Sequence, residues 1–150
     1  MKVTMSLEGT KELQLEIKKM CKEKVDKVRK ETYASGLEVQ KKAKENLKSA
    51  GSWDVGNLAN TILVDRIAGG DAVEVGPTAP YGLYVEYGTK PHFPPPDALE
   101  GWAKRHGFDS AWPICMVIAE RGLPAKPYLL PAYLAVVDRY FGRLKRIAAQ

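Results

Sequence analysis

The sequence predicts an α+β fold: a long N-terminal helix, a small antiparallel β-sheet built on a hairpin, short helices and a C-terminal helix. Three observations carry this. An apolar stripe repeats at steps of three and four over nearly forty residues, β-branched stretches flank a Gly-Gly-Asp turn, and helical spacing resumes at the end of the chain. At 150 residues the chain fits a single domain, 1–150, able to bury a core without disulfide staples.

The first helix is expected from about Thr10 to Ser49, with its stripe at Leu13, Ile17, Cys21, Val25, Val28, Thr32, Gly36, Val39, Ala43 and Leu47. No proline interrupts it, and Thr10 is placed to cap its start. Gly36 is the weak point, costing about 1 kcal/mol relative to alanine. It marks a break into two packed pieces, a kink, or a close contact with another helix. Unbroken, about 38 residues at ~1.5 Å each make a rod of roughly 57 Å. A compact chain of this length is only about 38 Å across. One end of such a rod overhangs its own core, and an apolar stripe there calls for a neighbouring subunit or a different protein.

Residues 50–56 turn the chain, with Trp53 as a loop anchor. Leu58–Ile67 and Ala72–Val75, on either side of Gly69-Gly70-Asp71, read as the two strands of a hairpin. The Gly-Gly pair is no phosphate cradle, because neither a helix start nor a Lys-Ser/Thr pair follows it. Tyr81–Tyr87 reads as a short helix closed by Gly88, with a strand as the alternative. The spacing of Tyr81, Tyr84 and Tyr87 puts their rings on one side, packed on the hairpin or on a neighbouring subunit. Burial of Tyr84 would make its replacement by alanine cost roughly 3 kcal/mol. Pro91–Pro96 must run extended. Asp97–His106 and Trp112–Arg121 follow as short helices ended by Gly107 and Gly122. After three spaced prolines, Ala132–Ala148 forms the closing helix, its apolar positions at Leu134, Val137, Phe141, Leu144 and Ile147.

Composition narrows function more by exclusion than by assertion. The net charge of +5 permits an acidic partner. Yet the lysines from Lys18 to Lys48 interleave with Glu16, Glu23, Asp26, Glu31, Glu38 and Glu45, as on a solvated helix face. No apolar run is long enough to cross a bilayer, and MKVTMSLEGTKEL lacks the apolar core of a signal peptide, so a cytosolic setting is expected. Cys21 and Cys115, far apart in sequence and outside any CxxC spacing, are expected as buried thiols in a reducing compartment. His106, Asp109 and Cys115 fall close in sequence, but Cys115 sits in the apolar run PICMVIA, where a thiolate is poorly solvated. A carboxylate pair such as Asp54 with Glu86 has no support beyond coincidence. Two His and two Cys at irregular separations match no metal spacing. No enzymatic activity and no cofactor are expected. The competing reading is a nucleic-acid-binding module using Lys18, Lys19, Lys22, Lys41, Lys42 and Lys44 with Arg143, Lys145 and Arg146.

Three blocks in order, VGNLANTI (Val55–Ile62), VGPTAPYGLYVEYGT (Val75–Thr89) and GLPAKPYLLPA (Gly122–Ala132), carry a family resemblance. The chain resembles the small neck, or tail-completion, proteins of tailed bacteriophages and prophages, the lambdoid "gene product ten"-like head–tail joining components. The resemblance covers roughly residues 10–148, with about 91–121 as a helical insertion carried by some members. It implies a non-enzymatic virion component assembled in the bacterial host cytoplasm. It further implies a homo-oligomeric ring between connector or portal-side proteins and tail-tube proteins. Nucleic-acid contact is not required by it, and no membrane is involved. Candidate subunit-interface residues are Leu13, Ile17, Val25, Val28, Tyr84, Pro91, His92 and Phe93.

Overall fold

The computed structural model describes residues 10–51 and 56–150. Trp53, the expected loop anchor, lies outside them, as does Asp54. The element order is α1 (Thr10–Ser49), α2 (Asn57–Thr61), β1 (Ile62–Ile67), a 3-10 turn (Ala68–Gly70), β2 (Ala72–Pro77), α3 (Gly82–Tyr87), α4 (Pro96–Arg105), α5 (Trp112–Arg121) and α6 (Leu129–Ala149). The α+β expectation holds, with the sheet reduced to one antiparallel pair from Ile62↔Pro77 to Ile67↔Ala72.

The first helix is unbroken through Gly36. A Cβ at that position would sit 2.7 Å from Val73 Cγ1 and 3.1 Å from Val64 Cγ1, so glycine is what lets the sheet lie directly on the helix. Its helix-propensity cost is offset by that approach. α6 runs back along α1 in the opposite direction. Asn46 Nδ2 donates to Tyr128 O (2.9 Å) at one end, and Lys24 Nζ donates to Ala148 O (3.2 Å) at the other. Between them, Arg143 pairs with Glu31 (2.6 Å) and Glu38 (3.0 Å), and Arg139 pairs with Glu38 (2.7 Å). The hydrogen bond from Arg143, reinforced by the charges of Arg139 and Lys42, holds the Glu38 carboxyl below its ordinary value.

The core lies where the two helices meet the start of the hairpin. Val39, Ala43 and Leu47 from α1 pack with Leu58, Ala59 and Ile62 and with Tyr128, Ala132 and Val136. Leu47 and Ile62 are fully buried, each stabilising the fold by about 2 kcal/mol through lost apolar surface. A second, separate cluster of Ala103, Ala111 and Cys115 holds α4 against α5. Gly142, in the middle of α6, has open space where a Cβ would stand. Gly142→Ala should therefore raise stability by about 0.5–1 kcal/mol through helix propensity alone, read as a higher urea midpoint.

Several boundaries differ from the sequence expectation, each for a local reason. The first strand starts at Ile62, not Leu58, because residues 57–61 form a helical turn. Leu58, Ala59 and Ile62 are the buried positions there, a spacing of one and three that suits a helix and not a strand. The extended run stops at Pro95, since Pro96 opens α4, where its missing N–H costs nothing. By the same logic α6 begins at Leu129, three residues before the expected start, and Pro131 sits inside its first turn.

Candidate assembly surfaces

The chain is rich in features that hold blocks together and poor in features that do chemistry. At the centre is Glu86, one of the few buried charged residues. Its Oε2 accepts from the backbone N–H of Tyr128 (2.7 Å) and Leu129 (2.9 Å), and its Oε1 from that of Leu130 (3.0 Å). The first N–H groups of α6 have no partners within their own helix. The carboxylate of α3 supplies them and places a negative charge at the positive end of the helix dipole. Pro131, next in line, has no N–H to satisfy. Tyr128 is fully buried beside this clasp, its hydroxyl donating to Gly82 O (3.4 Å). Burial, with the nearby Glu86 charge, pushes that hydroxyl up to about 12.

Two glycines close the stem of the segment that leaves the body after α3. Thr89 N–H donates to Leu123 O (2.9 Å), and Leu123 N–H donates to Thr89 Oγ1 (3.0 Å). Gly88 and Gly122 both take positive φ there. Residues 91–121 form a lobe beyond this stem. Phe93 lies edge-on to Trp112 (5.4 Å), and Trp102 stacks on His106 (4.0 Å). Cys115 is buried in the small core of the lobe while His106 stays on its surface, so the two are not brought together as a catalytic pair. Cys21, also expected to be buried, is instead exposed, because it lies on the stretch of α1 from Lys11 to Glu23 where every residue is exposed. Among the described residues, no group of three His, Cys, Asp or Glu could hold a metal ion. No described helix is long and apolar enough to cross a membrane.

The sequence-derived interface residues fall in three places. Leu13, Ile17 and Val25 are exposed on the N-terminal part of α1, where every residue from Lys11 to Glu23 is exposed. The last contact of α6 with α1 is near Lys24, so about thirteen residues, ~20 Å of helix, project beyond the body. Leu13 (54% exposed), Ile17 (51%) and Met20 (57%) lie on this projection. Val28 is only half-buried, where α1 enters the body. Pro91, His92 and Phe93 sit at the base of the lobe, exposed, with His92 N–H donating to Ile118 O (3.3 Å).

Tyr84 is the third place, and here the structure removes one of the two alternatives, packing on the hairpin. The three tyrosines do share an outer side of α3, but that side is not packed on the hairpin; Tyr84 is 59% exposed. The buried positions of α3 are Gly82 and Glu86, so the clasp, not the aromatic row, sets its orientation. Leu130, at the start of α6, is also exposed. Tyr84→Ala should cost under about 1 kcal/mol, with a melting temperature close to that of the unaltered chain. The nucleic-acid reading loses one member as well. Arg143 is taken up by Glu31 and Glu38.

Comparison with known families follows the same elements. The family described as "Bacteriophage HK97-gp10, putative tail-component" matches residues 11–88. The chain belongs to this family. The match runs from the first turn of α1 to Gly88, so it takes in α1, the hairpin and α3 with Glu86, and it stops where the lobe begins. At the stringency applied, no curated protein and no solved structure matches. Membership makes the chain a phage tail-component protein with a structural role in the particle, among other phage structural proteins.

Proposed function

We propose that the chain is a neck or tail-completion component that joins the head connector to the tail by protein–protein assembly. It acts as a homo-oligomeric ring between connector or portal-side proteins and tail-tube proteins. The observation that carries this reading is the projecting, apolar-striped end of α1. A monomer gains nothing from exposing Leu13, Ile17 and Met20 on one rod, whereas exposed apolar patches of this kind mark interaction surfaces. Tyr84 on α3 and Pro91, His92 and Phe93 on the lobe are further contact points, turned outward and not needed for the core. Assembly takes place in the host cytoplasm, and the virion is the destination.

The test pairs folding with particle formation. The double variant Leu13→Asp, Ile17→Asp should keep the unaltered melting temperature, because neither residue touches the body. It should fail to restore infectious particles in a host carrying a phage deleted for this gene. Full restoration by that variant would overturn the reading. So would a chain that neither self-associates by light scattering nor binds connector or tail-tube protein.

A further inference from the structure

The face of α1 that α6 covers continues past the end of α6. Within the body it carries Thr32, whose hydroxyl meets that of Tyr140 (3.0 Å), half-buried Val28, and Lys24, whose Nζ donates to Ala148 O (3.2 Å). Steps of four and three take the same line outward through Met20, Ile17 and Leu13, all at least half exposed. The charges on either side of this stripe are sorted by sign. At roughly 100° per residue, Glu12, Glu16 and Glu23 lie about 80–120° round the helix to one side of it. Lys11 and Lys18 lie about 120–140° round to the other side, with uncharged Gln14 and Cys21 between them and the stripe. Lys19 stands farther back behind the glutamates, and Leu15 and Lys22 are on the opposite face.

That sorting selects both a partner and an orientation. With Ile17 at heptad position a and Met20 at d, Glu16 and Glu23 fall at g, Cys21 at e and Lys18 at b. Two such helices docked antiparallel set g against g, glutamate against glutamate, and like charges oppose the contact. Docked parallel, they set the glutamate flank of one along the lysine flank of the other, and opposite charges support it. The surface is therefore complementary to a second copy of itself in the parallel arrangement and not in the antiparallel one.

We propose that the projecting ends of α1 pack side by side and parallel in the assembly, the glutamate flank of one copy along the lysine flank of the next. Leu13, Ile17 and Met20 form the apolar seam between them. The two flanks differ, so the contact is heterologous: it closes a ring or extends a filament, and does not stop at a two-fold dimer. With only about two heptads exposed, the contact is weak between free chains and gains strength from the repeated neighbours of an assembly. This rests on the self-assembly part of the proposed function, not on the identity of the other partners.

A cysteine-pair experiment on the full chain tests it, using the exposed native thiol of Cys21. In a parallel pair, position g of one helix faces position e five residues on in its neighbour, so residue 16 faces Cys21. One batch carries Glu16→Cys with Cys21→Ser, and the other is the unaltered chain. The two are mixed at roughly 1 mM, where a contact with a millimolar dissociation constant is substantially formed, and mildly oxidised. The disulfide joining one chain of each batch should exceed either same-batch product roughly tenfold, because the bond forms only between closely placed Cβ atoms. Charge exchange gives a second readout. Glu12→Lys with Glu16→Lys should weaken self-association about tenfold, and adding Lys11→Glu and Lys18→Glu to the same chain should restore it. All these residues are exposed, so the melting temperature should stay unchanged throughout. Absence of the mixed product overturns the proposal. So do same-batch products in equal or greater amount, or a charge exchange that fails to restore association. Particle complementation by the unaltered chain is read separately: complementation without the mixed product removes the parallel contact and leaves the assembly role standing.

Discussion

Glu86→Ala is expected to be among the most damaging single substitutions in the body, lowering stability by about 3 kcal/mol. The change removes three charge-assisted hydrogen bonds to Tyr128, Leu129 and Leu130 together. It leaves the buried N–H of Tyr128 with no acceptor, at about 1–3 kcal/mol. It also takes the compensating charge from the start of α6, at about 0.3–1 kcal/mol or somewhat more in a buried setting. The N–H groups of Leu129 and Leu130 are less deeply buried, so water recovers part of their loss. For a chain of this size the sum corresponds to a melting temperature lower by roughly 6–12 °C. Glu86→Gln keeps a carbonyl acceptor and the side-chain volume, so it should fall about midway. That ordering separates a cap from simple space-filling, because a cavity effect would leave glutamine close to the unaltered chain. A melting curve for Glu86→Ala within about 2 °C of the unaltered one would mean the clasp is not formed in solution.

Much of the fold was legible because it is periodic. Ten positions at steps of three and four announced α1, and the Gly-Gly-Asp turn between β-branched runs announced the hairpin. Trp112–Arg121 was bounded correctly, with Gly122 ending it. The projecting end of α1 was foreseen from length alone, and the exposure of Leu13 and Ile17 bears out that geometry. What was not legible lies in contacts between distant segments. The acceptor role of Glu86 involves backbone N–H groups 42 to 44 residues away, and those leave no side-chain signature. The one available signal was a glutamate between apolar and aromatic neighbours, four residues after a glycine that also faces inward. The tyrosines left the hairpin and a neighbouring subunit as alternatives for a related reason. Spacing of three states that rings share a side, but only packing decides whether that side faces in. Residues 57–61 failed as strand because their β-branched and small residues fit either period, and Gly56 at φ 75° starts a helical turn there.

Gly122→Ala should be comparably severe, and its failure should be local to the stem. Its φ of +72° already costs an L-residue about 1–2 kcal/mol. In addition, a Cβ would stand 2.1 Å from Thr89 O and 2.8 Å from the carbonyl carbon of Lys90. Those are backbone atoms pinned by the Thr89–Leu123 bridge, so no rotamer change relieves the clash and the bridge itself must open. A total of about 3–4 kcal/mol follows when overpacking is added to the strain. Gly107→Ala is the matched control. Its φ is +79°, yet nothing lies within 4 Å of the added methyl, so only the conformational cost of about 1–2 kcal/mol applies. Amide hydrogen exchange should show where the damage goes. In Gly122→Ala, protection should fall at Thr89 and Leu123, while Ala43 and Leu47 of the main core change less. Equal destabilisation by the two substitutions would show that backbone conformation alone matters at Gly122, and that the stem is open in solution.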